Sequence, residues 1–411
     1  MSQEKTSFFL NTQRFARRGS IASIMGSLLV ATTYSAAWAD QITIGFATAQ
    51  SGFMVGFDGD AQKMAQLWIK DRNAAGGLLG KPIDFAISDT KSDRIEGARA
   101  GQTVVDAGAD LVVVSCDYDF GSPAAGAAER AGKISVFLCA EDPKAGVQGV
   151  GPLSYTTSVA AHVQGAVMAR WANEKLGVKR PYVLLDTMTE YDKSLCAGFR
   201  WAVSETKGMQ IVGEDTFLND DPSIQSQITR LATATEKPDA IMLCSYVPGG
   251  ASALRQIRAA GVELPILGGS AMDGSYWIDA VPGLKDFYLP VAASVHGDDP
   301  RAEINSLNER YKAAYGSLPA TTYGYPIYAF LDLWARAVEK TGGTDGSQVA
   351  AALDAMKDEK TFIGPRSFSP QLHIQTNAEM LILSHDAGKV HVADRYSLPN
   401  PLPQDVLFGR N

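Results

Sequence analysis

Short apolar, β-branched segments alternate with longer amphipathic segments from residue 42 onwards. The short segments 42–47, 83–88 and 111–115 predict β-strands, because nearly every position in them is apolar. The segments 60–73 and 94–107 between them predict amphipathic helices. This alternation is typical of a parallel sheet that is covered by helices on both faces.

The same alternation begins again at residue 182. Strands are predicted at 182–186, 210–217 and 240–244, and helices are predicted between them at 194–206 and 224–232. The pattern therefore predicts an α/β protein with two similar Rossmann-like lobes, each built on a parallel sheet.

Functional residues are expected in the loops after the strands, because ligands of open α/β sheets bind at the carboxyl ends of the strands. These loops are 48–59, 115–123, 139–143, 187–193, 244–250 and 268–277. They carry many aromatic residues, namely Phe53, Phe57, Tyr118, Phe120, Tyr191, Tyr246, Tyr276 and Trp277. They also carry polar residues, namely Ser51, Asp117, Asp119, Glu141, Asp142, Ser270 and Asp273. This mixture predicts a small-molecule pocket; the alternative is that the aromatic residues only pack the loops down.

The N-terminal segment has the composition of an export signal. Four basic residues precede an apolar stretch at 21–31, and a small-residue cleavage pattern ends at Ala39. The apolar stretch is too short to span a bilayer. The pair Arg17-Arg18 also allows a twin-arginine signal, but the residues after it are not hydrophobic, which favours ordinary secretion.

Removal of residues 1–39 leaves a strongly acidic chain of 372 residues. Its net charge is −11, compared with −8 for the whole sequence. Such a charge argues against nucleic acid or an anionic membrane surface as a partner. The length favours two domains, and the sequence offers no long flexible linker between them.

Motifs of enzymes and metal sites are missing from the sequence, so neither catalysis nor a cofactor is expected. The segment 77–81 is unlike a true phosphate-binding loop, because Ala75 and Pro82 stand where glycine and a hydroxyl residue are required. The patterns H-E-x-x-H, C-x-x-C and G-x-S-x-G do not occur. Metal-ligand spacing is absent among the five histidines, which are His162, His296, His373, His385 and His391. A cysteine nucleophile at Cys116 or Cys139 is a minor alternative.

The four cysteines lie at positions that suit two disulfides. Cys116 and Cys139 end the third and fourth strands of the first lobe, and neighbouring strands are about 4.8 Å apart. Cys244 ends the third strand of the second lobe, and Cys196 lies in the helix after its first strand. In an oxidising compartment we expect the pairs 116–139 and 196–244; four buried thiols are the alternative.

Several segments resemble, in order along the chain, the Leu/Ile/Val-binding type of periplasmic solute-binding protein. The run RNAAGGLLGK at 72–81 is similar to the family's N-x-x-G-G-x-x-G junction. The run LRQIRAAG at 254–261 is similar to its L-R-Q-A-R-x-x-G helix, and YKAAYG at 311–316, followed by Pro319, resembles a third family element. Tyr191 lies where the family has a Tyr-Gly pair.

This resemblance implies the type I periplasmic binding fold, with two lobes joined by a three-strand hinge. Lobe one would comprise residues 41–158 and 295–364, and lobe two residues 159–294 and 365–411. The resemblance also implies that strand-end residues of both lobes hold the ligand. By position these are Phe57, Asp117, Tyr118, Ser122, Ala140, Glu141, Asp142, Tyr191, Tyr246, Ser270 and Asp273.

Acidic residues in this set depart from the pattern of the amino-acid binders. Small hydroxyl residues commonly hold a carboxylate at positions where this chain has Asp117, Asp119, Glu141 and Asp142. Ser270 stands where a carboxylate often meets the ligand's ammonium group. An acidic cluster disfavours an anion and suits a neutral amide-like, hydroxylated or cationic solute. The alternative is that some of these acids cap helices.

The function implied by the resemblance is that of the solute-binding component of an ABC importer. The chain would be a periplasmic monomer without a lipid anchor, since its first cysteine is Cys116. Its partners would be an inner-membrane permease and a small organic solute, such as an amino acid, an amide or a related polar or aromatic compound. A periplasmic sensor that presents the solute to a receptor or regulator is the alternative, because both functions use the same cleft.

Overall fold

The computed structural model describes residues 41–386 and 388–409. The predicted export signal and its cleavage pattern lie outside the described residues. Within the described part, two separate parallel-dominated sheets confirm the α/β architecture expected from the repeated alternation of strands and helices.

The first sheet has five parallel strands in the order β2-β1-β3-β4-β5. The strands are β1 (Ile42–Thr48), β2 (Ile83–Asp89), β3 (Leu111–Val114), β4 (Ile134–Phe137) and β5 (Ser154–Tyr155). The helices between them are α1 (Val55–Ala74), α2 (Arg94–Asp106) and α3 (Tyr118–Arg130). Alternate residues of a strand point to opposite faces, so Val113 packs in the core that includes α1, whereas Val112 and Val114 pack in the core formed with α2 and α3.

The second sheet has seven strands in the order β14-β13-β10-β9-β8-β6-β7. Its parallel part comprises β6 (Pro181–Asp186), β7 (Gly213–Phe217), β8 (Ala240–Cys244), β9 (Ile266–Leu267) and β10 (Phe287–Val291). The helices of this part are α4 (Ala161–Trp171), α5 (Glu190–Ser204), α6 (Gln225–Thr233) and α7 (Gly249–Ala259). Val183 packs in the core with α4 and α5, and its neighbour Leu184 packs in the core with α6 and α7. Both faces of this sheet are therefore covered.

The last part of the chain completes both halves of the molecule. Three helices, α8 (Ala302–Tyr315), α9 (Gly324–Thr341) and α10 (Gly346–Asp354), return to the side of the first sheet, where Trp334 and Leu353 join its core. A short antiparallel pair, β11 (Glu359–Thr361) and β12 (Gly364–Arg366), follows. The antiparallel strands β13 (Met380–Asp386) and β14 (Lys389–Tyr396) then extend the second sheet, and α11 (Gln404–Phe408) comes last.

The chain crosses between the two sheets at three places. These are the segments between β5 and α4, between β10 and α8, and between β12 and β13. The first and third crossings run side by side, because Gln375 N donates to Ser158 O at 3.0 Å and Ala160 N donates to Gln375 O at 2.9 Å. The buried Arg366 adds a bond from Nε to Thr157 O at 2.9 Å. Hydrogen bonds therefore hold the first and third crossings in fixed positions.

Several predicted boundaries are wrong in detail. The helix expected at 194–206 begins at Glu190 and ends at Ser204, and α3 begins at Tyr118, inside the expected loop 115–123. The first helix was expected from residue 60 but begins at Val55, so the predicted loop 48–59 ends at Met54. Residues 55–59 form the start of α1, and this helical turn places Phe57 and Asp58 in the protein interior. The strand expected at 210–217 begins only at Gly213, although Val212 N still donates to Pro181 O of β6 at 3.1 Å.

A cavity between the two sheets

A small cavity lies where the carboxyl ends of strands from both sheets meet. Its volume is about 40 Å³. It is lined by residues that follow β1, β3 and β4 of the first sheet and β6, β8 and β9 of the second, together with one residue before α9. These are Phe53, Met54, Phe57, Cys116, Asp117, Phe120, Cys139, Glu141, Thr189, Tyr191, Tyr246, Ala271 and Tyr323.

Aromatic rings from both sides of the cavity pack on one another. Phe57 stacks on Tyr323 with ring centroids 5.5 Å apart, and Phe53 meets Phe120 edge to face at 5.1 Å. Tyr246, which follows β8 of the second sheet, lies 6.3 Å from Phe53 and 6.2 Å from Phe57. Each such contact contributes about 0.5–1.5 kcal/mol beyond the burial of apolar area. Because Tyr246 contacts both Phe53 and Phe57, the rings form a continuous wall.

Two carboxyl groups reach the cavity from the first sheet. Asp117 is the N-cap of α3, and its Oδ1 accepts from Asp119 N at 2.8 Å and from Phe120 N at 3.3 Å. Burial, reinforced by the charge of Asp119, raises the pKa of Asp117 to about 8. Burial also raises the pKa of Glu141 to about 7, although a hydrogen bond from Ser270 Oγ opposes the rise. The cavity is therefore a poor environment for uncompensated negative charge.

A hydrogen-bonded cluster around Tyr191 forms the wall on the side of the second sheet. The Tyr191 hydroxyl donates to Gln164 Oε1 at 3.2 Å and accepts from Ala271 N at 3.2 Å. Gln164 Oε1 also accepts from Ser270 N at 3.0 Å. Because Ser270 Oγ then donates to Glu141, this cluster connects α4 and α5 to the loop after β4.

A fully buried carboxylate braces the loops of the first sheet beneath the cavity. Asp58 accepts three hydrogen bonds, from Ala49 N at 2.7 Å, from Ser115 Oγ at 2.6 Å and from Cys116 N at 2.8 Å. Burial raises the pKa of Asp58 to about 6, and the three donors act against this rise. The side chain thereby ties α1 to the loops after β1 and β3.

Further polar contacts join the two sides around the rim of the cavity. Asp119 Oδ2 accepts from Glu190 N at 2.9 Å, and Ser194 Oγ donates to Asp142 Oδ2. Lys144 forms an ion pair with Glu190. These residues come from opposite sheets, so the contacts hold the two halves together in the arrangement observed.

Each of the four cysteines is bonded to another cysteine. Cys116 is joined to Cys139, with Cα atoms 4.5 Å apart, and Cys196 is joined to Cys244, with Cα atoms 5.8 Å apart. The first pair links the ends of the neighbouring strands β3 and β4, and its members line the cavity. The second pair links α5 to the end of β8. Neither bridge connects the two sheets, so neither prevents them from moving relative to each other.

The structure brings together only part of the ligand-binding set that the sequence suggested. Five of those residues line the cavity: Phe57, Asp117, Glu141, Tyr191 and Tyr246. Six do not: Tyr118, Ser122, Ala140, Asp142, Ser270 and Asp273.

The six outlying residues have other contacts or positions. Asp142 caps the turn at 143–145 and accepts a hydrogen bond from Ser194 Oγ, whereas Glu141 lines the cavity. Asp273 accepts from Thr322 N at 2.7 Å, and Ser270 supports the cavity wall through its hydrogen bonds with Glu141 and Tyr323. Ala140 is buried in the core that α2 and α3 share with the first sheet, while Tyr118 and Ser122 lie in the first turns of α3.

Four residues of the cavity wall had not been singled out from the sequence: Met54, Thr189, Ala271 and Tyr323. Thr189 caps α5, and a Thr-x-x-Asp capping pattern at 189–192 was the signal that could have revealed it. Tyr323 precedes α9, far from any strand-end loop, and its hydroxyl donates to Ser270 O at 3.0 Å. No local pattern marks it.

No helix between residues 41 and 409, residue 387 aside, is long and apolar enough to cross a membrane. In the same part of the chain, no group of three or more histidine, cysteine, aspartate or glutamate side chains has a geometry that could hold a metal ion.

Comparisons with known proteins agree with this architecture. The chain is 24% identical over 359 residues to Leu/Ile/Val-binding protein homolog 3 of Brucella melitensis, which covers 87% of this chain and 94% of the relative. It is 26% identical over 346 residues to the leucine-, isoleucine-, valine-, threonine-, and alanine-binding protein of Pseudomonas aeruginosa, with 84% and 89% covered.

A solved structure has the same fold. The branched-chain amino acid transporter substrate binding protein LivJ of Streptococcus pneumoniae, in complex with isoleucine, superposes with a TM-score of 0.76 at 24% identity, covering 87% of this chain and all of that one. The family model described as periplasmic binding protein matches residues 41–389. The chain therefore belongs to the periplasmic binding protein family.

Proposed function

We propose that this protein is the solute-binding component of an ABC importer, which captures one small organic solute in the cavity between its two sheets. Lobe one comprises residues 41–158 and 295–364, lobe two comprises residues 159–294 and 365–411, and the three crossings form the hinge. The protein works in the periplasm and delivers its solute to an inner-membrane permease. The relatives are named as amino-acid-binding proteins, which supports this role.

The observation that carries the proposal is that both lobes build the cavity. Tyr246 from the second sheet packs on Phe53 and Phe57 from the first, and Ser270 from the second bonds to Glu141 from the first. A solute at this place touches both lobes at once. Its contacts exist in full only when the lobes are closed, so binding shifts the equilibrium towards the closed form.

A thermal-shift screen of the mature protein tests the proposal. Amino acids, amides, polyols, aromatic acids and amines are screened, and the stoichiometry of each hit is measured by calorimetry. We expect a hit to raise the melting temperature by mass action and to bind once per chain. Tyr246→Ala should weaken binding about tenfold or more, because it removes a ring from the cavity wall.

Tyr396→Ala is the matched control for this variant. Tyr396 lies on β14, away from the cavity, and its hydroxyl bonds to Glu174 at 2.8 Å. Affinity should stay at the parent value in this control. A protein that binds none of the screened solutes, or a Tyr246→Ala variant that retains full affinity for a confirmed solute, would count against the proposed site.

A further inference from the structure

The charge and the aromatic content of the cavity together limit what it can hold. Six aromatic residues line it, and its two ionisable acids are Asp117 and Glu141. Among the residues that the structure describes, no lysine, arginine or histidine lines it. We propose that the solute is an organic cation, an amine or ammonium compound with apolar groups and no carboxylate. This inference rests on the proposed function and specifies its substrate class.

The aromatic wall provides one half of this recognition. A cation over the face of an aromatic ring is attracted by the negative electrostatic potential of that face, and the attraction grows when water is excluded. Phe57, Tyr246 and Tyr323 are buried, and they converge on the cavity from the sides of both sheets. Apolar groups of the solute pack on the same rings, so a cationic head and its alkyl groups are both accommodated.

The carboxyl groups provide the other half. Asp117 uses Oδ1 to cap α3, and no residue within the described part of the chain donates a hydrogen bond to its Oδ2. The nearby basic side chains are already paired with acids outside the cavity, Lys144 with Glu190 and Arg94 with Asp119. A positive charge on the solute would therefore be the counter-charge that the cavity lacks.

A carboxylate on the solute would find the N-termini of α3 and α5 already occupied. Helix N-termini usually provide a partner for a carboxylate, because their free N–H groups attract anions. Here the N-terminus of α3 is occupied by the side chain of Asp117, and that of α5 is capped by Thr189. Another free N–H of α5, that of Glu190, donates to Asp119 Oδ2. At these two helix N-termini the chain's own oxygen atoms fill the positions that an anionic group would need.

Four probes of nearly equal shape test the charge requirement by calorimetry on the mature protein. They are 3-methylbutylamine, a cation; 3-methylbutan-1-ol, its neutral counterpart; leucine, which adds a carboxylate; and 4-methylpentanoate, an anion. We expect the amine to bind about tenfold or more tightly than the alcohol and leucine, and 4-methylpentanoate not to bind.

Two conservative variants assign the effect to the acids. Asp117→Asn keeps a good helix cap but removes the charge, and Glu141→Gln retains the shape of the side chain. Each should weaken binding of 3-methylbutylamine about tenfold and leave binding of 3-methylbutan-1-ol within about twofold. Equal losses for both probes would mean that the acids only maintain the structure.

The pH dependence gives an independent check. Asp117 faces Asp119 and Asp142 from its own lobe and Asp192 from α5. Glu141 faces Asp273 and Tyr191. With the pKa of Asp117 raised to about 8 and that of Glu141 to about 7, both acids take up protons below these values in the free protein. A bound cation favours the ionised acids, so affinity for the amine should rise about tenfold from pH 6 to pH 8.5.

The outcomes separate this inference from the proposed function. If leucine, 4-methylpentanoate or the alcohol binds more tightly than the amine, the inference that the solute is a cation is overturned. The proposed solute-binding function would be unaffected by that result. If none of the four probes binds, the charge of the hits from the thermal-shift screen decides: cationic hits support the inference, and neutral or anionic hits overturn it. A protein that binds no small solute at all would contradict both.

Discussion

Replacing Gly198 with alanine is expected to destabilise the protein by about 3 kcal/mol or more. Helices α4 and α5 pack with their backbones in contact, and a Cβ atom built on Gly198 would lie only 1.9 Å from His162 O. Gly165 makes the reciprocal approach, with its Cβ position 2.0 Å from Leu195 O. Because both obstacles are backbone atoms, no side chain can rotate away, and the helices must separate.

This separation should also affect the cavity. Gln164 lies next to Gly165 on α4 and accepts the hydrogen bond of Tyr191 on α5 at 3.2 Å. Urea denaturation measures the change in stability, and calorimetry with a confirmed solute measures the change in affinity. Gly59→Ala is the matched control: its nearest neighbour would be 3.9 Å away, so alanine in this helix should stabilise by about 0.5–1 kcal/mol. A Gly198→Ala variant as stable as the parent would refute the close packing of α4 and α5.

Asp58→Ala is expected to cost about 3–5 kcal/mol of folding free energy. The carboxylate is fully buried, and its removal leaves three buried donors, Ala49 N, Ser115 Oγ and Cys116 N, without their partner. Each unpaired buried donor costs about 1–3 kcal/mol, partly offset when the site relaxes or admits water. Solute affinity should fall as well, because Cys116 lines the cavity and the neighbouring Asp117 loses its fixed position.

An exposed aspartate provides the comparison for this variant. Asp93 caps α2, where its Oδ1 accepts from Ile95 N at 2.8 Å and from Glu96 N at 2.9 Å. Because water can replace these bonds, Asp93→Ala should cost only about 1 kcal/mol and leave solute affinity unchanged. Chemical denaturation of both variants measures the difference. Equal costs for the two substitutions would show that Asp58 is not the brace described above.

Much of the fold could be predicted because it follows from the alternation of apolar and amphipathic segments. β8 was expected at 240–244 and is found at Ala240–Cys244, and the two series of strands do form two sheets. The expected neighbours β3 and β4 are paired, which places Cys116 beside Cys139. These features depend on local pattern and on the general topology of parallel sheets.

The cavity was harder to predict, because the direction of a side chain at a strand end depends on the local backbone. Glu141 and Asp142 are adjacent in sequence, yet only Glu141 enters the cavity, while Asp142 turns to Ser194. Tyr323 reaches the cavity through tertiary packing of α9 on the first sheet, which no short pattern encodes. Asp58 lay in a segment expected to be a loop, so its burial was not anticipated.

We propose that a solute is captured by closure of the two lobes over the cavity. Small-angle X-ray scattering of the mature protein tests it most directly, with the tightest-binding solute from the screen and at concentrations where calorimetry shows full occupancy. Closure should bring together pairs such as Ser270 with Glu141 and Glu190 with Asp119, so the radius of gyration is predicted to fall on binding. Scattering curves that superpose with and without saturating solute would contradict closure and indicate a site that is already formed.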